Sequence, residues 1–238
     1  MRDNPRLFIN FPFSIGAEIP LCKEHAHYVH NVMRLKDDDE ITVFNGEDGE
    51  YSAKIKYSSK KSVVVELVTK LREQENLPDL TLFFAPIKGH RNDNIIEKAT
   101  ELGIANLRPV LTERTIVRKI NTEKYLLTAI EAAEQCERLN IPKISELNYL
   151  ASAVEGFDGK VLFADEAGGG KTIANANPDK GDRIALLVGP EGGFSDKERE
   201  FLLSHTNVIP IALGKRILRA DTAAIAGLTL LQTFYGDF

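Results

Sequence analysis

Leu186-Leu187-Val188-Gly189-Pro190-Glu191-Gly192-Gly193-Phe194-Ser195 is an apolar run that breaks into a glycine-rich turn. One strand–helix–strand unit later the chain repeats the arrangement with Leu213-Gly214-Lys215-Arg216-Ile217-Leu218-Arg219-Ala220-Asp221-Thr222-Ala223. Each stretch follows a strand-like run and leads into a helix-like one. Open α/β sheets hold their ligand loops at the carboxyl ends of strands. Two such loops close together point to a pocket built largely from backbone, suited to a small polar ligand. Gly189, Gly192 and Gly193 let a ligand approach the main chain closely. Glu191 falls at the loop tip beside the next helix N-terminus, where the dipole stabilises an acid. Read singly, the first loop is an ordinary strand-to-helix turn. The second, with Lys215, Arg216 and Arg219, is a solvated basic loop before a core helix. Read together they favour a site.

Outward from these loops, strand and helix alternate. Strands are predicted at Leu80–Pro86, Asn106–Leu111, Lys160–Ala164, Arg183–Val188 and Val208–Ala212. Helices are predicted at Asn92–Leu102, with Gly103 as C-cap, and at Asn121–Leu139, with Leu126, Ile130 and Ala133 on one face. Another follows the capping box Ser195-Asp196-Lys197-Glu198, and the last spans Thr222–Tyr235. This alternation argues an α/β fold with a mainly parallel sheet covered on both faces. The beginning of the chain differs. It offers strands at Arg6–Phe13, Ile41–Phe44, Tyr51–Lys56 and Ser62–Val68, a short helix at Glu24–Arg34, and turn chemistry at Asn45-Gly46 and Asp48-Gly49. Leu71–Asp79 is polar, aperiodic and contains a proline, which marks a linker. Residues 1–72 therefore read as a small β-rich domain and residues 73–238 as the α/β domain.

The chain has 238 residues, 43% of them hydrophobic, enough for a sizeable core in one or two domains. The net charge is -5. RNA binding would need a local basic surface. Residues 1–72 carry 11 Lys+Arg against 11 Asp+Glu, so the remainder, with 19 against 24, holds the whole deficit. Cys22 and Cys136 have no metal or redox spacing and fit a reducing cytoplasm. No signal peptide and no membrane span are expected.

Three further features were weighed. Gly168-Gly169-Gly170-Lys171-Thr172 resembles the end of a P-loop, but Asp165 stands where that motif needs its first glycine and no helix is expected after it. A mobile glycine-rich loop is the better reading. His25, His27 and His30 do not share a helix face, so no metal is expected. Lys88, His90, Arg91, Arg108, Arg114, Arg118 and Lys119 gather near the ends of the first two strands after the linker. They either form a phosphate-binding surface beside the glycine loops or are scattered solvated charge.

At these residues the chain resembles the RsmE family, the ribosomal RNA small subunit methyltransferases E of the SPOUT class. The resemblance rests on Gly189-Pro190-Glu191-Gly192-Gly193 and on Leu213-Gly214-x-Arg216-x-Leu218-Arg219-x-Asp221-Thr222-Ala223. It rests also on Lys98-x-x-Glu101-Leu102-Gly103, Glu113-Arg114, Glu134-Gln135-Cys136-x-Arg138 and Pro5-Arg6. It implies a PUA-like β-barrel at the N-terminus, which binds RNA, and a SPOUT domain with a deep trefoil knot, an exception to the usual topology. It implies S-adenosylmethionine as cofactor, methylation of a uridine N3 in 16S rRNA of the small ribosomal subunit, and a homodimer, which joins the cytoplasmic, metal-free and membrane-free reading of the residues above. Asp221 departs from the pattern where a glutamate is expected, and Glu137 stands where glycine is common.

The resemblance also assigns roles. Val188, Gly189, Pro190, Glu191, Gly192, Leu213, Gly214, Arg216, Ile217, Leu218, Thr222 and Ala223 would hold the cofactor. Arg219 would stabilise the uridine anion, with Arg6 as second candidate, while Glu191 and Asp221 are both candidates for the base. Glu191 could equally brace its loop, and Asp221 cap a helix. Lys88, Arg91, Arg114, Arg118 and Arg6 would contact RNA. Three other classes compete. A non-catalytic RNA-binding protein should show a basic or aromatic platform, and the chain has no Trp. A P-loop hydrolase is weakened by Asp165, and a dinucleotide oxidoreductase lacks its opening GxGxxG.

Overall fold

Val63, Val65 and Leu67 are buried while Val64, Glu66 and Val68 are not, the period of a half-buried strand. This alternation builds the first of two units in a computed structural model that describes residues 4–59, 62–168, 170–178 and 183–238. The first unit takes the chain up to Asn76 together with Ala133–Ile141, and the second takes Leu77–Ala132 and Pro142–Phe238.

In the first unit the strands are β1 (Arg6–Phe8), β2 (Glu18–Pro20), β3 (Glu40–Phe44), β4 (Glu50–Ser59) and β5 (Ser62–Arg72). Helix α1 (Lys23–His27) continues as a π-helical turn over Tyr28–Val32. The sheet order is β1-β3-β4-β5-β2, antiparallel except where β1 runs parallel to β3. Leu7, Ile19, Val29, Ile41, Val43, Ile55, Val63 and Val65 share its core. The β3–β4 turn places Gly46 and Gly49 at positive φ, and Asn45 Oδ1 accepts from Glu47 N and Asp48 N. Two boundaries move. The first strand is only three residues long, because pairing with β3 ends at Phe8↔Phe44. β5 runs on to Arg72 because Arg72 pairs with Glu50, so only Glu73–Asp79 of the expected linker lies outside a strand.

Arg6 is buried here. It donates from Nε to Glu50 Oε1 (2.6 Å), from Nη1 to Ala133 O (2.6 Å) and from Nη2 to Arg138 O (2.8 Å). Its guanidinium also lies 3.7 Å from the centroid of the Phe44 ring. Phe44, Ala133 and Leu139 form a small cluster of their own.

The second unit contains β6 (Leu80–Phe84), α2 (Arg91–Glu101), β7 (Asn106–Leu111), α3 (Thr122–Gln135, whose last three residues count with the first unit), β8 (Lys143–Ile144) and β9 (Asn148–Tyr149). It continues with α4 (Leu150–Glu155), β10 (Lys160–Ala164), β11 (Ile184–Val188), α5 (Asp196–Ser204), β12 (Val208–Ile211) and α6 (Ala220–Tyr235). The strand order is β12-β10-β11-β6-β7-β8, with β9 also on β7, and every pairing is parallel. All five residues of β6 and of β11 are buried, as a sheet covered on both faces requires. Ala185 and Leu187 join Phe83, Phe163, Val154 and Leu202 in one core. Leu186 of the same strand instead meets α6 at Gly227. No helix of the described residues is long and apolar enough to cross a membrane.

Three expectations are corrected. α3 stops at Gln135 rather than Leu139, and Glu137 takes φ +60. Ala133 is buried as expected, but the rest of the buried face is Tyr125, Ala129 and Ala132, one position off Leu126 and Ile130, and Leu126 is 42% exposed. Gly170 and Lys171 are not a free loop. Lys171 N donates to Pro210 O and Ala212 N to Lys171 O, and a Cβ on Gly170 would lie 2.5 Å from the Ile211 carbonyl carbon. A single 3-10 turn, Ile173–Asn175, follows, while Gly169 lies outside the described residues. Arg108 belongs to no basic edge. Its guanidinium sits 5.9 and 5.6 Å from the Phe83 and Phe157 ring centroids, a cation–π arrangement inside the sheet packing.

Candidate active site

β10, β11 and β12 run parallel and adjacent, so their carboxyl ends lie side by side. β11 connects through α5 to β12, which lands beyond β10, so the strand order reverses at this place. Such switch points open a crevice above the strand ends. Here the crevice is a cleft of about 290 Å³ walled by the loops after all three strands. Ala164, Val188, Leu213, Ile217, Leu218 and Ala223 give it an apolar lining, and Asp165, Glu166, Glu191, Lys215, Arg216 and Arg219 give it charge.

The glycine loop is held on several sides. Gly193 takes φ +65, and an added Cβ would run into the Glu166 carboxylate. Phe194 packs edge-on against Phe163 of β10 with centroids 5.0 Å apart. Arg91, the first residue of α2, donates to Glu191 Oε1 at 3.0 Å, and Arg114 Nη1 donates to Gly192 O at 2.9 Å. The capping box of α5 is complete. Ser195 Oγ accepts from Glu198 N, and Glu198 Oε2 accepts from Ser195 N. The other Glu198 oxygen accepts from Glu113 N at 2.7 Å. Below the cleft, Asp165 is buried and receives Arg199 Nη2 on Oδ2 at 2.8 Å and Arg199 Nε on Oδ1 at 3.1 Å. This pair ties the end of β10 to α5.

Of the residues singled out from sequence, Val188, Gly189, Pro190, Glu191, Leu213, Gly214, Arg216, Ile217, Leu218, Arg219 and Ala223 line the cleft together. Gly192 stands behind it with its carbonyl on Arg114, and Thr222 is exposed on the first turn of α6. Asp221 is next to the wall residue Ala220, and its Oδ1 is buried without a hydrogen-bond partner. It is not the helix cap, since the N-cap of α6 is Arg219. Arg219 forms no ion pair among the described residues, and neither does Lys88 or Arg118. Arg91 and Arg114 are instead engaged by the glycine loop. Arg6 lies in the first unit, with its donors taken by Glu50 and two carbonyls. Asp165 and Glu166 were missed. The rule that exposed two strand ends, applied to Lys160–Ala164 as well, would have found them.

Two family models match the chain, an RNA methyltransferase PUA domain over residues 21–68 and an RNA methyltransferase domain over residues 73–232. The chain is 35% identical over 230 residues to the ribosomal RNA small subunit methyltransferase E of Rickettsia conorii, covering 95% of this chain and 94% of that protein. A protein from Legionella pneumophila described as a methyltransferase, solved with its cofactor SAM bound, superposes with a TM-score of 0.90 at 34% identity, over 99% of both chains. A ribosomal RNA small subunit methyltransferase E from Neisseria gonorrhoeae, bound to S-adenosyl methionine, gives 0.88 at 26% identity, again over 99% of both. With matches this long, in a chain whose glycine and arginine loops meet at one cleft, the protein belongs to the ribosomal RNA small subunit methyltransferase E family.

Proposed function

We propose that this protein transfers a methyl group from S-adenosylmethionine to N3 of a uridine in 16S rRNA of the small ribosomal subunit. The observation that carries the reading is the convergence of three parallel strand ends on one loop-walled cleft bearing Arg219, which forms no ion pair among the described residues. The residues fit the cofactor. Ile217, Leu218 and Val188 offer apolar surface for a flat ring, and the lining main chain offers donors and acceptors for polar ends. Gly214, at φ +123, has open space where a Cβ would point.

When bound, the cofactor supplies an electrophilic methyl on a sulfonium sulfur. Transfer forms the N3–carbon bond as the sulfur–carbon bond breaks, and the N3 proton must go to a base. Most of the catalysis is positioning. The glycine loop, held by Arg91 and Arg114, contributes to that positioning. Arg219 offsets the negative charge that grows on the uracil ring as the proton leaves. Two carboxylates can take that proton. Glu191 is in the cleft wall but shared with Arg91, and Asp221 has a buried oxygen with no partner.

The same reading makes the β-rich domain of residues 1–72 an RNA-binding module and residues 73–238 a catalytic domain, with Lys88, Arg91, Arg114 and Arg118 as RNA contacts. It makes the protein a cytoplasmic homodimer joined through apolar groups exposed around α6, with Ile217 at 85%, Phe234 at 48% and Phe238 at 66%. It gives the second unit a trefoil knot through which α6 is threaded. In support, α6 contacts both β11 and the Ile173–Asn175 turn, and Tyr235 Oη donates to Ile173 O.

Arg219→Ala tests the catalytic assignment. The expected result is a fall in methyl transfer of about 10²–10³-fold, the usual effect of losing one anion-stabilising group. Cofactor affinity, read by calorimetry, should stay within a few-fold. A large affinity loss instead would recast Arg219 as a cofactor ligand.

A further inference from the structure

A second cleft, of about 480 Å³, opens in the same unit at the carboxyl ends of β7 and β9. The turn Thr112–Thr115 serves both clefts. Thr112 and Glu113 line this one, while Arg114 reaches Gly192 of the glycine loop. The turn is rigid. Thr112 N donates to Thr115 Oγ1 at 3.0 Å, and the two buried hydroxyls lie 2.7 Å apart.

The floor is apolar, formed by Leu150 and Phe201. At the rim stands Tyr149, 68% exposed, more than any other Phe or Tyr among the described residues. Its backbone is nonetheless fixed, since Tyr149 pairs with Leu111 in the β9–β7 register. Two cations, Arg118 and Lys197, share the lining with two carboxylates, Glu113 and Glu198, and neither cation forms an ion pair among the described residues. Glu198 keeps its charge but has both oxygens on backbone N–H groups, so it bonds neither cation directly. A bare aromatic ring over an apolar floor, with two cations that hold no ion pair among the described residues, matches a base and its phosphate.

Resting on the RNA methyltransferase reading, we propose that this cleft seats an unpaired nucleotide of the RNA substrate that neighbours the methylated one. The base stacks on Tyr149 over the apolar floor, and Arg118 and Lys197 take its phosphate. Recognition of splayed-out single-stranded bases by aromatic side chains is the usual mode for RNA. Occupancy here would anchor the strand against the turn that also braces the cofactor loop.

The test compares Tyr149→Ala, Tyr149→Phe and Lys197→Glu with the unaltered protein. Cofactor affinity by calorimetry and thermal midpoint serve as controls for folding. Tyr149→Ala is expected to raise KM for unmethylated small ribosomal subunits about tenfold, in line with loss of one base stack. The loss should sit in KM rather than kcat, and cofactor affinity should not change. Lys197→Glu should do the same, and Tyr149→Phe should stay within twofold of the unaltered protein. Filter retention of the small-subunit RNA by the same variants reads the cleft even without methyl transfer. Absence of transfer would then defeat the functional reading alone. An unchanged KM and retention in Tyr149→Ala and Lys197→Glu would overturn the proposal. So would Tyr149→Phe as defective as alanine, or a Tyr149→Ala effect that tracks a change in oligomeric state.

Discussion

Arg219 and Arg6 carry the same guanidinium and are given opposite work by their surroundings. Arg219 faces the cleft without an ion pair among the described residues, whereas Arg6 is spent on Glu50, on Ala133 O and Arg138 O, and on the Phe44 ring. Sequence shows two arginines in motif positions. It does not show partners 44, 127 and 132 residues away, and those partners decide the role. Glu137 is a second residue-scale case. It stands at φ +60, a conformation that costs a side chain about 1 kcal/mol and glycine nothing. This accounts for glycine at this position in the family pattern. Arg72 Nη1 bonds the backbone carbonyl of Glu137, and the side chain adds only a minor charge attraction to the same arginine. Glu137→Gly should therefore stabilise the protein by about 0.5–1 kcal/mol in urea denaturation, and a destabilised variant would show that the side chain matters. Tyr125 gives a pH test. Burial, with a smaller push from Asp93, raises its phenol to about 12 from an ordinary value of 10.0. A raised folded value means stability that is intact below pH 10 and declines as pH rises through 12. Alkaline titration at the tyrosinate absorbance should show one phenol, missing in Tyr125→Phe, ionising last, and the variant should lose less stability between these limits.

Elements were legible where a local signal closes them. The capping box at Ser195–Glu198 is present as written, because all its bonds lie within four residues. Asn106–Leu111 and Lys160–Ala164 begin and end where alternation and burial require. Boundaries set by distant partners moved. β5 is extended by Glu50, and Gly170 is pinned by Ile211. α3 is read from Leu126, Ile130 and Ala133, yet of these only Ala133 is buried, and Ala129 and Ala132 face inward with it because close packing needs small residues. α6 follows the same rule at Gly227, where an added Cβ would be 2.6 Å from Leu186 Cδ2, a side chain with no exposed surface on a central strand. Gly227→Ala gains about 1 kcal/mol of helix propensity. Overpacking against a buried strand costs about 1–3 kcal/mol. A net loss in the denaturation midpoint is expected, and a gain would mean that α6 can shift.

For the whole molecule, the parallel sheet followed from the alternation of strands and helices, but its order did not. Nothing in the sequence announces that β12 lands beyond β10, and that reversal is what opens the cleft. Nor does it announce that Ala133–Ile141, embedded in the later part of the chain, counts with the β-rich unit. Its motif Glu134-Gln135-Cys136-x-Arg138 serves there through Glu134 Oε1, which accepts from Phe8 N, and through the carbonyl of Arg138 on Arg6. A net charge of -5 likewise conceals that Arg118, Lys197, Lys215, Arg216 and Arg219 line the two clefts without ion pairs among the described residues. The most direct measurement is of the product. Purified protein is incubated with labelled S-adenosylmethionine and small ribosomal subunits from a strain lacking the modification, and the rRNA is digested to nucleosides for mass spectrometry. Labelled 3-methyluridine, absent with Arg219→Ala, is the result expected of an Arg219-assisted transfer in this cleft. Label in any other nucleoside, or none despite bound cofactor, would contradict it.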